Sequence, residues 1–102
     1  MARLDSPRRS RGEAGRTLIM YKVYILKSLI WPKAYVGLTD DLVRRLKEHN
    51  SGKHFYTKRY IPWEIIYFEN HPDLKEARKR EKYFKSAAGR RYMKKFIFKN
   101  KD

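Results

Sequence analysis

The 102-residue sequence predicts a small α+β domain whose elements run ββαβαα. Two short stretches alternate at a period of two and lie one turn apart, as paired strands do. Two later segments repeat apolar residues at helical spacing, each behind an acidic residue able to cap a helix. A third apolar stretch separates those helices.

Tyr21 to Lys27 (YKVYILK) reads as the first strand, with Val23 and Ile25 on one face and Tyr24 and Leu26 on the other. Ser28–Lys33 contains Trp31-Pro32 and turns the chain. Ala34 to Leu38 (AYVGL) reads as the second strand, with Ala34, Val36 and Leu38 opposite Tyr35 and Gly37. The short connection favours an antiparallel hairpin. Thr39-Asp40-Asp41 then opens a helix that places Leu42, Val43, Leu46 and Asn50 on one side and stops at Ser51-Gly52. Lys53–Ile61 is a basic, polar loop. Pro62 to Glu69 is a third strand, apolar on both faces, which predicts a central strand or one covered twice. Asp73 caps a helix with Leu74, Ala77, Glu81, Phe84 and Ala88 on one face. Gly89 punctuates, and Arg90 to Phe98 forms a last helix with Tyr92, Met93, Phe96 and Ile97 inward.

A chain of this length is expected to form one domain over residues 20–102, burying about 60–65% of its extended surface. Residues 1–19 lack periodicity and hold five Arg with Pro, Gly and Ser, so they read as a disordered basic extension. The net charge of +15 points to a polyanion partner, most often nucleic acid. The absence of Cys excludes disulfides and thiolate metal sites. No apolar run approaches the roughly 20 residues of a membrane span, so no membrane role is expected. A cytoplasmic location, in contact with the nucleoid, suits this composition.

Glu81 is the conspicuous residue. It shares a helix face with Ala77 and Phe84. A carboxylate facing a core costs on the order of several kcal/mol unless it is paired or holds a metal. On the first helix Arg45 and His49 are i,i+4 neighbours at the edge of the apolar stripe. Pairing the first two strands turns Tyr24 and Tyr35 to one face, where Gly37 leaves room for a ligand to approach the backbone. Two phenols, a guanidinium, an imidazole and a carboxylate suit phosphodiester hydrolysis. Arg donates paired hydrogen bonds to the non-bridging oxygens. Mg²⁺ needs only one or two carboxylates, so Glu81 alone is sufficient. A phenol near a cation and Arg45 could be lowered enough to accept a proton from water. Lys33, two residues before Tyr35, could assist. Lys58, Arg59, Arg90, Arg91, Lys94 and Lys95 supply phosphate contacts.

Lys22-Val23-Tyr24, followed by Tyr35-Val36-Gly37, resembles the paired motif of the GIY-YIG nuclease domain. YVGLTDDLVRRLKEHNSG and EARKREKYFK continue the resemblance, which spans Met20 to Ile97. Lys22 stands where the motif's first Gly would be. The resemblance is closest to the small stand-alone members. It implies a three-stranded antiparallel sheet flanked by helices and a single divalent ion, Mg²⁺ or Mn²⁺. It implies that Tyr24 positions or deprotonates water, with Tyr35 in the same network and Gly37 permitting close approach. Arg45 becomes the catalytic arginine, His49 a hydrogen-bonding or proton-transfer group and Glu81 the metal ligand. The expected function is a metal-dependent DNA endonuclease, structure-specific and repair-related, with targeting from a separate protein partner. The rival is a non-catalytic nucleic-acid-binding module that retains the fold. Taken singly, each residue also has an ordinary reading: strand aromatics for the tyrosines, a surface guanidinium for Arg45, a helix-end imidazole for His49, and a solvated ion pair of Glu81 with Arg78, Lys82 or Lys85.

Overall fold

The computed structural model describes residues 19–98. The expected extension lies outside them except for Ile19. The elements are β1 (Tyr21–Ser28), β2 (Ala34–Thr39), α1 (Leu42–Asn50), a 3₁₀ turn (Thr57–Tyr60), β3 (Trp63–His71), α2 (Leu74–Lys85) and α3 (Ala87–Tyr92). A π-helical turn, Met93–Ile97, continues α3. The ββαβαα order is therefore the observed one, and both strand pairings are antiparallel.

The sheet order is β2-β1-β3, so β1 is central and β3 lies at an edge. The expectation of a central third strand fails, whereas its alternative, coverage on both faces, holds. Trp63 and Ile65 pack on one side of the sheet, and Ile66 and Tyr67 on the other. A register shift opposite Ile25/Leu26 lets two consecutive β3 residues share a side.

Alternation along β1 builds two cores. Val23 and Ile25 join Val36, Ala77, Phe84 and Met93, so α2 and the π-helical turn cover that face. Tyr24 and Leu26 join Trp63, Tyr35, Leu42 and Leu46, so α1 covers the other. Burial of one such large apolar side chain contributes about 1.5–3 kcal/mol. Asp41 caps α1 by accepting from the Arg44 amide at 3.1 Å, and Asp73 caps α2 through the Lys75 amide at 2.9 Å. Gly52 closes α1 with φ of 85°, a conformation that favours glycine. Val43, expected inward, is 67% exposed; Leu42, Leu46 and Asn50 face the sheet without it.

The C-terminal helices also depart from expectation. α2 ends at Lys85, and Ser86 caps the start of α3 by accepting from the Gly89 amide at 3.1 Å. Ala88 therefore leaves the α2 face and is exposed. Gly89 does not punctuate but lies buried within α3, where a Cβ would strike the Tyr83 carbonyl and the Phe84 backbone. Met93 and Ile97 do face the core, while Phe96 is 53% exposed and Tyr92 is also exposed.

Glu69 ties β3 to α2. Its carboxylate accepts from Arg80 Nε at 2.6 Å and from the Tyr67 hydroxyl at 2.6 Å, and lies 2.9 Å from His71 Nε2. Burial alone would raise its pKa, but these partners, Arg80 foremost, hold it at about 2. The Arg80 guanidinium also lies 4.6 Å from the Phe84 ring centroid. Among the described residues, no helix is long and apolar enough to cross a membrane.

Candidate active site

The hairpin places Tyr24 directly opposite Gly37. The Tyr24 ring occupies the space where a Gly37 side chain would stand, since a Cβ there would collide with the phenol oxygen. Gly37 thus makes room for Tyr24 itself, not for a ligand as the sequence led us to expect. The phenol is carried across β2 toward α1.

There it meets two side chains of one helix. Tyr24 OH is 2.9 Å from His49 Nε2, and Arg45 Nε donates to the same oxygen at 3.4 Å. Tyr35 joins from β2, its ring centroid 4.9 Å from that of His49 and 6.4 Å from that of Tyr24. Four of the five expected groups therefore form one contact cluster. The alternating faces of β1 and β2 and the i,i+4 spacing on α1 account for the convergence.

Glu81 arrives separately. Its helix covers the opposite face of the sheet, and it makes no hydrogen bond to the other four groups among the described residues. Its side chain is 24% exposed, at the rim rather than in the core, and Oε2 accepts from Lys85 Nζ at 3.1 Å. Its charge nevertheless reaches Tyr24 and helps to keep that phenol protonated. A cleft of about 920 Å³ runs along β2 and takes its lining from both faces, Tyr35 being the one member of the expected catalytic set that lines it. Tyr35 and Tyr56 border it on one side and Lys85 on the other, with Lys27, Lys33, Arg90 and Lys94 around it. Its charged lining is wholly basic. Of the expected phosphate contacts, Lys33, Arg90 and Lys94 line this cleft. Lys58 and Arg59 instead flank the Phe55 ring, Lys95 lies over Phe96, and Arg91 is exposed outside the cleft.

The electrostatics revise one expectation. Burial pushes the Tyr24 phenol up to about 12 and outweighs the lowering influence of Arg45. At 1% exposure, Tyr24 is also closed to solvent. It is a neutral phenol that holds Arg45 and His49, not a poised phenolate. His49 is pushed down to about 4, chiefly by burial and then by the nearby Arg45 charge. It is neutral at pH 7, one ring nitrogen carrying hydrogen and the other accepting.

That shift has a stability consequence. Folded His49 resists a proton that the unfolded chain accepts near 6.5. Its contribution is fully present above 6.5 and is lost as pH falls toward 4. Thermal melts across that window should show the loss, and His49→Gln should flatten the profile there. The Glu69 network acts mostly lower: its contribution is present above 4.5 and is lost as pH falls toward about 2.

Three residues of the cluster escaped sequence reasoning. Glu48 accepts from Arg45 Nη1 at 2.8 Å, a contact its i,i+3 spacing could have announced. Thr57, fully buried, places Oγ1 2.8 Å from His49 Nδ1. His54 Nε2 lies 3.3 Å from Tyr35 OH. Lys85, one of the three partners the sequence offered Glu81, does pair with it and also lines the cleft. Thr57 and His54 come from the loop after α1, which carries no periodic signal.

A divalent ion fits Glu81 in one way. The carboxylate already holds a cationic group, Lys85, at the cleft edge. Among the described residues no group of three or more His, Asp or Glu side chains is placed to hold a metal ion. An ion here would displace Lys85 and keep most of its water, a pattern Mg²⁺ tolerates.

Residues 20–95 match the family model of the GIY-YIG catalytic domain. The chain belongs to the GIY-YIG family. Among its relatives, the UPF0213 protein YazA of Bacillus subtilis is 46% identical over 52 residues, covering 50% of this chain and 52% of YazA. The chain thus spans about half the length of that relative. The structure-specific endonuclease subunit SLX1 of Malassezia globosa is 42% identical over 52 residues, 47% of this chain but only 12% of that protein. The solution structure of the UPF0213 protein BH0048 from Bacillus halodurans aligns with a TM-score of 0.46 at 31% identity, covering 74% of this chain and 81% of that one.

Proposed function

We propose that this GIY-YIG domain, residues 20–102, is a divalent-metal-dependent endonuclease that hydrolyses phosphodiester bonds in DNA. The carrying observation is the Arg45–Tyr24–His49 contact chain beside Tyr35, next to a cleft with only basic charged residues. Lys33, Arg90 and Lys94 draw the phosphodiester anion toward the cleft. Arg45 has Nε engaged by Tyr24 and Nη1 by Glu48, while Nη2 makes no hydrogen bond among the described residues. That nitrogen is the donor for a non-bridging phosphate oxygen as charge builds there. Tyr24 stays protonated and fixes Arg45 and His49. Tyr35, the more exposed phenol, faces the cleft. Glu81 would hold Mg²⁺ or Mn²⁺, which when bound supplies charge neutralisation and a more acidic water.

The relative named as a structure-specific endonuclease subunit supports a structure-specific activity; that the substrate is branched or nicked DNA, cut in repair, belongs to the proposal alone. A separate protein partner would then supply targeting, and a nucleoid-associated cytoplasmic location follows from such a substrate. Incubation with branched, nicked, single-stranded and duplex DNAs and RNAs, with Mg²⁺, Mn²⁺ or chelator, tests the reading. Metal-dependent scission of DNA is expected. Salt-sensitive binding without scission of any substrate would establish the non-catalytic module instead.

A further inference from the structure

Thr57 sits behind two imidazoles at once. Its hydroxyl lies 2.8 Å from His49 Nδ1, and its backbone amide lies 3.5 Å from His54 Nδ1. The three rings of His49, His54 and Tyr35 pack against one another with centroids 4.9 to 5.2 Å apart. Thr57 is fully buried and the turn that carries it follows directly on the His54 loop, so both imidazoles share one anchor.

The directions of these bonds follow from chemistry. A backbone N–H can only donate, so His54 Nδ1 presents its lone pair to Thr57. With that lone pair taken up by the Thr57 amide, the ring hydrogen of His54 sits on Nε2, the atom 3.3 Å from the Tyr35 oxygen. The phenol oxygen accepts that hydrogen bond, which leaves the Tyr35 hydrogen free to turn toward the cleft. A phenol so held is a donor aimed outward, suited to an anionic phosphate oxygen. Without His54 the hydroxyl would rotate among water partners, and its orientation would have to be fixed anew with each substrate.

We propose that His54 and Thr57 are positioning residues of the site: Thr57 fixes both imidazoles, and His54 makes Tyr35 a hydrogen-bond donor to the substrate phosphate. This rests on the endonuclease reading for its consequence, but not for its geometry.

Two measurements test it. Ring-nitrogen NMR of the intact protein at neutral pH should show His54 as the Nε2–H tautomer, with its Nε2 signal moved by Tyr35→Phe. An Nδ1–H tautomer would overturn the proposal. In single-turnover cleavage, His54→Leu should slow the reaction roughly tenfold, as loss of one orienting hydrogen bond does, with KM nearly unchanged. His54→Gln, which can still donate from its amide nitrogen, should recover most of that loss. In a Tyr35→Phe background, His54→Leu should add nothing. An equal loss in that background would show that His54 acts through packing alone and would sink the proposal. Thr57→Ser should outperform Thr57→Val, and parity between them would remove the hydroxyl from the argument. If no nucleic acid is cleaved, the endonuclease reading fails while the ring-nitrogen spectra still decide this one.

Discussion

Glu81→Gln should abolish Mg²⁺-dependent cleavage of DNA while leaving salt-sensitive binding largely intact. The substitution keeps the shape of the side chain and removes its charge. Among the described residues there is no cluster of acids and histidines that could hold a metal in its place. Mg²⁺ held by one carboxylate and water has no protein anchor once that carboxylate is neutral. Binding rests on different groups. Lys33, Arg90 and Lys94 line the cleft and are untouched, and the net charge of +15 only rises by one. Folding is also spared, because Glu81 is at the rim and its partner Lys85 is more than half exposed. Measured together, cleavage with Mg²⁺, DNA binding against salt, and the melting temperature separate these effects. Undiminished scission by the variant would remove Glu81 from the mechanism. Lost binding would mean that the carboxylate organises the surface instead.

Much of this architecture was legible because short-range periodicity carried it. Alternation in β1 sorted Val23 and Ile25 from Tyr24 and Leu26, and those pairs do line different cores. The caps Asp41 and Asp73 announced both helices. Failures came where tertiary contacts override local pattern. Sheet order is a long-range property, so nothing in Pro62–Glu69 could say that β1 takes the centre. Gly89 read as a helix breaker because its reason for being glycine lies across space, at the Tyr83 carbonyl. Gly37 read as an opening for the same reason, although the Tyr24 ring fills it. In the candidate site, Tyr24, Tyr35, Arg45 and His49 on regular elements were found, Glu48 on α1 was passed over despite its i,i+3 spacing to Arg45, and His54 and Thr57 on the connecting segment were not found. A loop has no period from which side-chain direction can be read.

Arg45→Ala should slow the chemical step by more than about 10²-fold, the scale expected for losing one preorganised donor to transition-state charge. The guanidinium is unusually well placed for that duty. Tyr24 engages Nε, Glu48 engages Nη1, and the side chain remains 33% exposed, so its orientation is set while Nη2 stays available. The supporting pair with Glu48 is part-buried but still reached by solvent, which limits its contribution to stability. A large rate loss with an unchanged melting temperature would therefore report chemistry rather than unfolding. Arg45→Lys sharpens the test. An ammonium keeps the charge but cannot hold Tyr24 and Glu48 while presenting a third nitrogen outward, so it should recover DNA binding without recovering the rate. If Lys restores both, a point charge is all the site requires and the fork geometry has no role. If Ala cleaves as fast as the parent protein, the phosphate is stabilised from elsewhere, and the basic side chains of the cleft become the groups to replace next.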